Sequence, residues 1–173
     1  MRNKRGISQA FSAPAAGLII RQADVSDVFD MSRVLVSSIR ELCASDHGGD
    51  PAVQDSWTAN KTPERLRDWF TGGHEIWLAV LDGRTSGVGA VAPEGEVSVL
   101  YVAPGSARRG IGRQLLARLE RELVQSGHAE ARLVSTRTAR PFYLSQGWHD
   151  AGAPELAFGL PGYPMRKSLH PRR

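Results

Sequence analysis

The chain has 173 residues, 41% hydrophobic and 23% charged, with one cysteine and a formal net charge of +4. That length and balance fit a single globular domain and need no metal or disulfide to hold it. The lone Cys43 excludes an internal disulfide, and no apolar run reaches the length of a membrane span. A cytoplasmic location without membrane attachment is therefore expected.

The positive charge belongs to the ends. Arg2, Lys4 and Arg5 stand in residues 1–16, and Arg166, Lys167, Arg172 and Arg173 in residues 163–173, neither stretch holding an acid. Without those seven charges the body carries −3. The body also lacks interleaved aromatic and basic residues, so no nucleic-acid partner is expected. Residues 1–16 read as a disordered basic leader, since Ser8, Gln9 and Ser12 interrupt any apolar signal region. Residues 17–170 read as one domain, and 171–173 as a basic tail.

In chain order, Leu18 to Arg21 is a short strand. Asp24 caps a helix whose apolar positions are Val28, Met31, Val34, Leu35, Ile39 and Leu42. Ser45 to Pro51, with two glycines and a proline, reads as loop. Thr62-Pro63 opens a second helix, ended by Gly72-Gly73. Ile76 to Leu81 and Val88 to Ala92 are strands of a hairpin turned at Asp82-Gly83. Glu96 to Val102 follows as a strand, with Val97, Val99 and Tyr101 on one face and Glu96, Ser98, Leu100 and Val102 on the other. Leu115, Leu116, Leu119 and Leu123 mark a strong helix stopped at Gly127. Ala131 to Val134 is a strand, Ala139 to Ser145 a short helix, Gly147-Trp148 the start of a strand, and Tyr163 to Leu169 the last. The order β-α-α-β-β-β-α-β-α-β-β predicts an α/β mixed sheet with helices on both faces.

The segment from Leu100 to Leu116 is strand, loop, then helix, and its centre is Arg108-Arg109-Gly110-Ile111-Gly112-Arg113. A helix start exposes unpaired N–H groups and the positive end of the dipole. Two positions without side chains let a phosphate or pyrophosphate approach that backbone, and the arginines add full charges. No lysine-serine or lysine-threonine pair follows a glycine run, so the loop is no P-loop, and it lacks the third glycine of a dinucleotide fingerprint. By spacing alone, a tight turn into a helix explains the glycines equally well.

Two segments together resemble the GNAT superfamily of N-acetyltransferases. Tyr101-Val102-Ala103-Pro104 through Arg108-Arg109-Gly110-Ile111-Gly112-Arg113-Gln114-Leu115-Leu116 is similar to that family's acetyl-CoA motif. Ala139-Arg140-Pro141-Phe142-Tyr143-Leu144-Ser145-Gln146-Gly147-Trp148 is similar to its helix-to-strand segment. Two positions depart: Ala107 stands where the motif opens with glutamine or arginine, and Thr136 where an asparagine is common. The resemblance implies a GNAT-like, mostly antiparallel sheet whose fourth and fifth strands splay apart. It implies acetyl-CoA as co-substrate, its pantetheine arm along main-chain groups at Leu100, Tyr101 and Val102. Arg108, Arg109, Gly110, Ile111, Gly112 and Arg113 would hold the pyrophosphate, and Thr136 and Tyr143 would complete the cofactor wall. It implies transfer to a primary amine of a small molecule or peptide by direct attack. A non-catalytic acyl-CoA-binding or regulatory module is the alternative on the same fold. A homodimer is among the assemblies the resemblance implies.

In that setting Tyr143 becomes the candidate general acid for a departing thiolate, although by spacing alone it reads as a packed aromatic. Glu96 is the candidate general base, its competing reading being an exposed strand-end residue. Asp46 and His47 compete with it from the loop expected to form the substrate wall. The segment from Trp57 to Glu64 sets an aromatic, the amide of Asn60 and a charge before the second helix, and Trp57 and Asn60 are substrate candidates. The five histidines form no ligand spacing, so no metal is expected.

Overall fold

A computed structural model describes residues 16–169. The expected leader (residues 1–16) and tail (171–173) lie outside the described residues, apart from Ala16. Strand β1 (Leu18–Gln22) runs into a short 3-10 turn, Val25–Asp27, and then helix α1 (Val28–Leu42). Asp24 accepts from the Ser26 N–H while Asp27 accepts from the Asp24 N–H, a reciprocal cap that fixes the chain's entry into α1.

The stretch read as loop is partly helical. Helix α2 (Ala44–His47) ends at Gly48 in a left-handed conformation, and α3 (Pro51–Thr58) begins at once. Asp50 caps α3 by accepting from the Ala52 N–H, and Pro51 occupies its first turn. Helix α4 (Pro63–Thr71) is capped by Thr62.

Strands β2 (Glu75–Leu81), β3 (Arg84–Val91) and β4 (Val97–Val102) complete an antiparallel sheet in the order β1-β2-β3-β4. Asp82 and Gly83 turn the β2–β3 hairpin with φ of 51° and 77°, as a two-residue turn of that hand requires. Helix α5 (Ile111–Gln125) packs on one face of this sheet, and α1 with α4 on the other. Gly87 and Gly89 of β3 let α5 approach closely: a Cβ on Gly89 would sit 2.9 Å from Leu119 Cδ1.

The second sheet has the order β5-β8-β6, from β5 (Glu130–Ser135), β6 (His149–Asp150) and β8 (Leu160–Ser168), with β7 (Glu155–Ala157) pairing β8. Helix α6 (Arg140–Ser145) joins β5 to β6. The strand expected to start at Gly147-Trp148 is only the two-residue β6. Trp148 is fully buried, its indole N–H given to Glu120, which also binds Lys167 and so ties α5 to β8.

Among the described residues one parallel bridge, Glu96 to Arg132, joins the edges of the two sheets. Beyond it β4 and β5 part. The architecture is the expected mixed, mostly antiparallel one with a splayed central pair.

One expectation about β4 is corrected. Val99 pairs with Ala90 but Val97 with Val91, so β4 holds one residue more than β3 across that step. Such a bulge reverses which face the preceding residues present. Val97 therefore packs in the α5-side core, while Val99 and Tyr101 pack toward α1. Glu96 moves to the face of Val99 and Tyr101, opposite that of Leu100.

Candidate active site

Three cavities follow one another along the split between the sheets. The first, about 410 Å³, lies over the start of α5 and is lined by Val102, Arg108, Gly110, Ile111, Gly112 and Arg113, with Phe142 and Tyr143 opposite. Gly110 takes φ of 75° as the residue before the helix, and among the described residues no side chain caps the first N–H groups. A Cβ on Gly110 would meet nothing within 4 Å, so open space fronts this backbone. Arg108, at φ of 60°, bends the loop just before it. An uncapped 15-residue helix, open space before it and two arginines on the rim fit an anionic group such as a pyrophosphate. Arg109 does not line the cavity.

The second cavity, about 200 Å³, is the gap itself. Leu100, Tyr101 and Val102 of β4 form one wall, and Val134, Ser135 and Thr136 of β5 and its end form the other. Leaving the bridge at Glu96, the facing backbone edges are unpaired with each other, so an extended amide-bearing chain could pair with them. Thr136 is partly occupied, since its hydroxyl accepts from the Ala139 N–H at the start of α6.

Tyr143 lines both cavities. It is 6% exposed and packs edge-on against Phe142 and Trp148, with ring centroids at 5.2 and 5.9 Å. Burial, and to a lesser degree the neighbouring Tyr101, pushes its phenol well above the usual range, so it holds its proton at neutral pH. Burial also raises Tyr101, whose hydroxyl accepts from the Trp57 indole N–H at 3.2 Å. Cys43 lines the gap too, but burial first and then the Asp46 charge push its thiol up to about 12. It is a protonated, packed side chain and no nucleophile.

The third cavity, about 610 Å³, opens on the far side of the gap and is lined by Asp46, Trp57, Asn60, Glu96, Tyr101 and Thr136 among others. The bulge in β4 is what aims the exposed Glu96 carboxylate here. Asp46 accepts from the Thr138 N–H through Oδ1, while its Oδ2 is buried without a partner among the described residues.

His47 is placed elsewhere. It is 4% exposed, its Nε2 lies 3.1 Å from the carbonyls of Ile39 and Arg40, and its Nδ1 accepts from the Gly49 N–H. Nε2 fastens α2 to α1 and Nδ1 holds the turn that follows α2, so His47 belongs to the scaffold rather than the substrate wall.

Sequence reasoning missed the far wall. Glu155 and Phe158 reach the cavity from the β7–β8 hairpin, turned at Phe158 and Gly159 with φ of 53° and 77°. Phe158 stacks on Trp57 with centroids 6.4 Å apart. Phe158-Gly159 carried a turn signal, but nothing local announces that the ring crosses to α3. Among the described residues no group of acids, histidines and cysteine could hold a metal ion, and no helix is long and apolar enough to cross a membrane.

Known proteins share this fold and family. Residues 43–169 match the family model described as the acetyltransferase (GNAT) domain. A curated relative, the peptidyl-lysine N-acetyltransferase YiaC of Escherichia coli K12, is 27% identical over 104 residues, 58% of this chain and 67% of its own. A GCN5-related N-acetyltransferase from Rhodopseudomonas palustris superposes with a TM-score of 0.78 at 22% identity, covering 87% of this chain and 94% of that one. The PaiA N-acetyltransferase of Thermoplasma acidophilum, solved with coenzyme A, superposes with a TM-score of 0.74 at 20% identity, covering 87% and 98%.

Proposed function

Because the chain belongs to the acetyltransferase (GNAT) family and is an N-acetyltransferase, we propose that it moves an acetyl group from acetyl-CoA to a primary amine of a small molecule or peptide by direct attack, with no covalent enzyme intermediate. The observation that carries this reading is the succession of three cavities with shared walls, from the uncapped start of α5, through the gap between β4 and β5, to the chamber beyond. It offers an anion grip, an edge for an extended arm and a chamber for an acceptor, in that order. The peptidyl-lysine acceptor of the Escherichia coli relative is itself a primary amine.

Each residue then has a task. The N–H groups of Ile111, Gly112 and Arg113 hold the pyrophosphate, with Arg108 and Arg113 at the rim. Main-chain groups of Leu100 and Val102 align the pantetheine arm. An alkylamine is mostly protonated at neutral pH and cannot attack until it loses a proton. Glu96 takes that proton, directly or through a water, on the cavity side of β4. The amine lone pair then forms the C–N bond, the C–S bond breaks, and the departing sulfur takes the proton of the Tyr143 hydroxyl. The second proton of the amine leaves to solvent and Tyr143 is reprotonated.

Release of free thiol from acetyl-CoA, followed across a panel of primary amines, tests the reading. Turnover on at least one amine that collapses in Tyr143→Phe supports it. Undiminished turnover in that variant removes Tyr143 as the acid.

A further inference from the structure

Lys61 lies in the turn between α3 and α4. The turn is held at both ends, by the Lys61 N–H donating to the Thr58 carbonyl at 2.9 Å and by the Thr62 cap of α4. The residue is 5% exposed, yet it lines the large cavity. Its ammonium donates to Asn60 Oδ1 at 2.5 Å and lies 5.5 Å from the centre of the Phe158 ring. None of the ion pairs among the described residues includes Lys61. A buried cation met by one amide and one ring face is incompletely compensated. Burial accordingly lowers it to about 8.

The remaining charges of the cavity are distributed differently. Arg137 gives a guanidinium N–H to the Ser45 carbonyl. Asp46, Glu96 and Glu155 are acids, and Asp46 Oδ2 has no partner among the described residues. The wall thus offers acceptors for an ammonium and, at Lys61, a donor with spare capacity. The stacked Trp57 and Phe158 rings line the same cavity.

We propose that the acceptor amine also carries a carboxylate, seated on Lys61 and Asn60, with an apolar or aromatic body against Trp57 and Phe158. The substrate class is then an amino acid or a similar small amphoteric amine, and the proposal rests on the N-acetyltransferase reading above. A carboxylate on Lys61 completes its hydrogen bonding and supplies the missing counter-charge. Charge-assisted bonds of this kind are worth roughly 1.5–3 kcal/mol, or on the order of 10- to 100-fold in affinity.

The test pairs amines that differ only in the carboxylate: phenylalanine against phenethylamine, and leucine against isoamylamine. Thiol release is expected to show a KM on the order of 10- to 100-fold lower for the amino acid of each pair. That preference is expected to vanish in Lys61→Met. A second arm needs no turnover. Calorimetric binding of 3-phenylpropanoate to the protein saturated with coenzyme A is expected for the wild type and lost in Lys61→Met. Equal or better use of the decarboxylated amines overturns the proposal. So does 3-phenylpropanoate binding that is absent, or indifferent to Lys61→Met. If no amine is turned over while 3-phenylpropanoate still binds through Lys61, the acetyl-transfer reading fails and the anion site stands.

Discussion

At neutral pH Lys61 is protonated in both the folded and the unfolded chain, so the folded state carries the whole cost of its burial. A fall from 10.5 to about 8 corresponds to about 3 kcal/mol. Lys61→Met, of similar volume, is therefore expected to stabilise the protein by about 1–3 kcal/mol at pH 7 in urea titrations. Between about 8 and 10.5 the folded state sheds its proton before the unfolded one, so wild-type stability rises with pH and the variant's advantage shrinks. A destabilised variant at pH 7 would make Lys61 a structural residue. The two reacting groups differ in what they should show. Tyr143→Phe is expected to lower kcat by about 10²–10⁴ while coenzyme A affinity stays near the wild-type value. Glu96→Gln is expected to lower kcat by about 10² while coenzyme A affinity stays near the wild-type value; undiminished turnover would assign the base elsewhere, with Asp46 the nearest competitor.

Elements position these groups through backbone features more than through side chains. Helix α5 sits close because Gly87 and Gly89 give it room, and Gly89→Ala should cost about 1–3 kcal/mol through its contacts with Leu115 and Leu119, measurable by thermal melting. Gly110→Val is different in kind. It adds strain of about 1–3 kcal/mol at φ of 75° and fills the space before the helix start, so coenzyme A binding should be lost by calorimetry even where the fold survives. Unchanged affinity would move the anion site elsewhere. Local signals made most elements legible: Asp24, Thr62-Pro63, Asp82-Gly83 and Gly127 each mark a boundary by a specific hydrogen bond or φ. Helix α3 was legible too, through Asp50 and Pro51, but the preceding Gly48-Gly49 outweighed them. The bulge in β4 left no trace, because Glu96 to Val102 alternates as if the strand were regular. Its consequence, the turning of Glu96 toward the large cavity, depends on β3 and could not be read from β4 alone.

For the whole molecule, the split between two sheets is what creates a site. Among the described residues the bridge at Glu96 and Arg132 joins their edges, and the gap opens from it toward α6 and the start of α5. The order of elements suggested a mixed sheet, but the splay itself came from family likeness, since no local pattern in Ala131 to Val134 forbids pairing with β4. The glycine loop was legible as a turn into a bare helix start, because Gly110 and Gly112 carry no side chain. The chamber wall was only half legible. Trp57 and Asn60 stand out beside α4, whereas Glu155 and Phe158 arrive from a hairpin about a hundred residues later. His47 shows the opposite failure, a polar residue in a promising loop that the fold uses to fasten α2. The most direct check of the central claim is a titration of isotope-labelled protein with coenzyme A, followed amide by amide in ¹⁵N–¹H spectra. The largest shifts are expected at Gly110, Ile111, Gly112 and Arg113 and along Leu100 to Val102. Shifts that spare these amides, or no shifts at saturating coenzyme A, would contradict it.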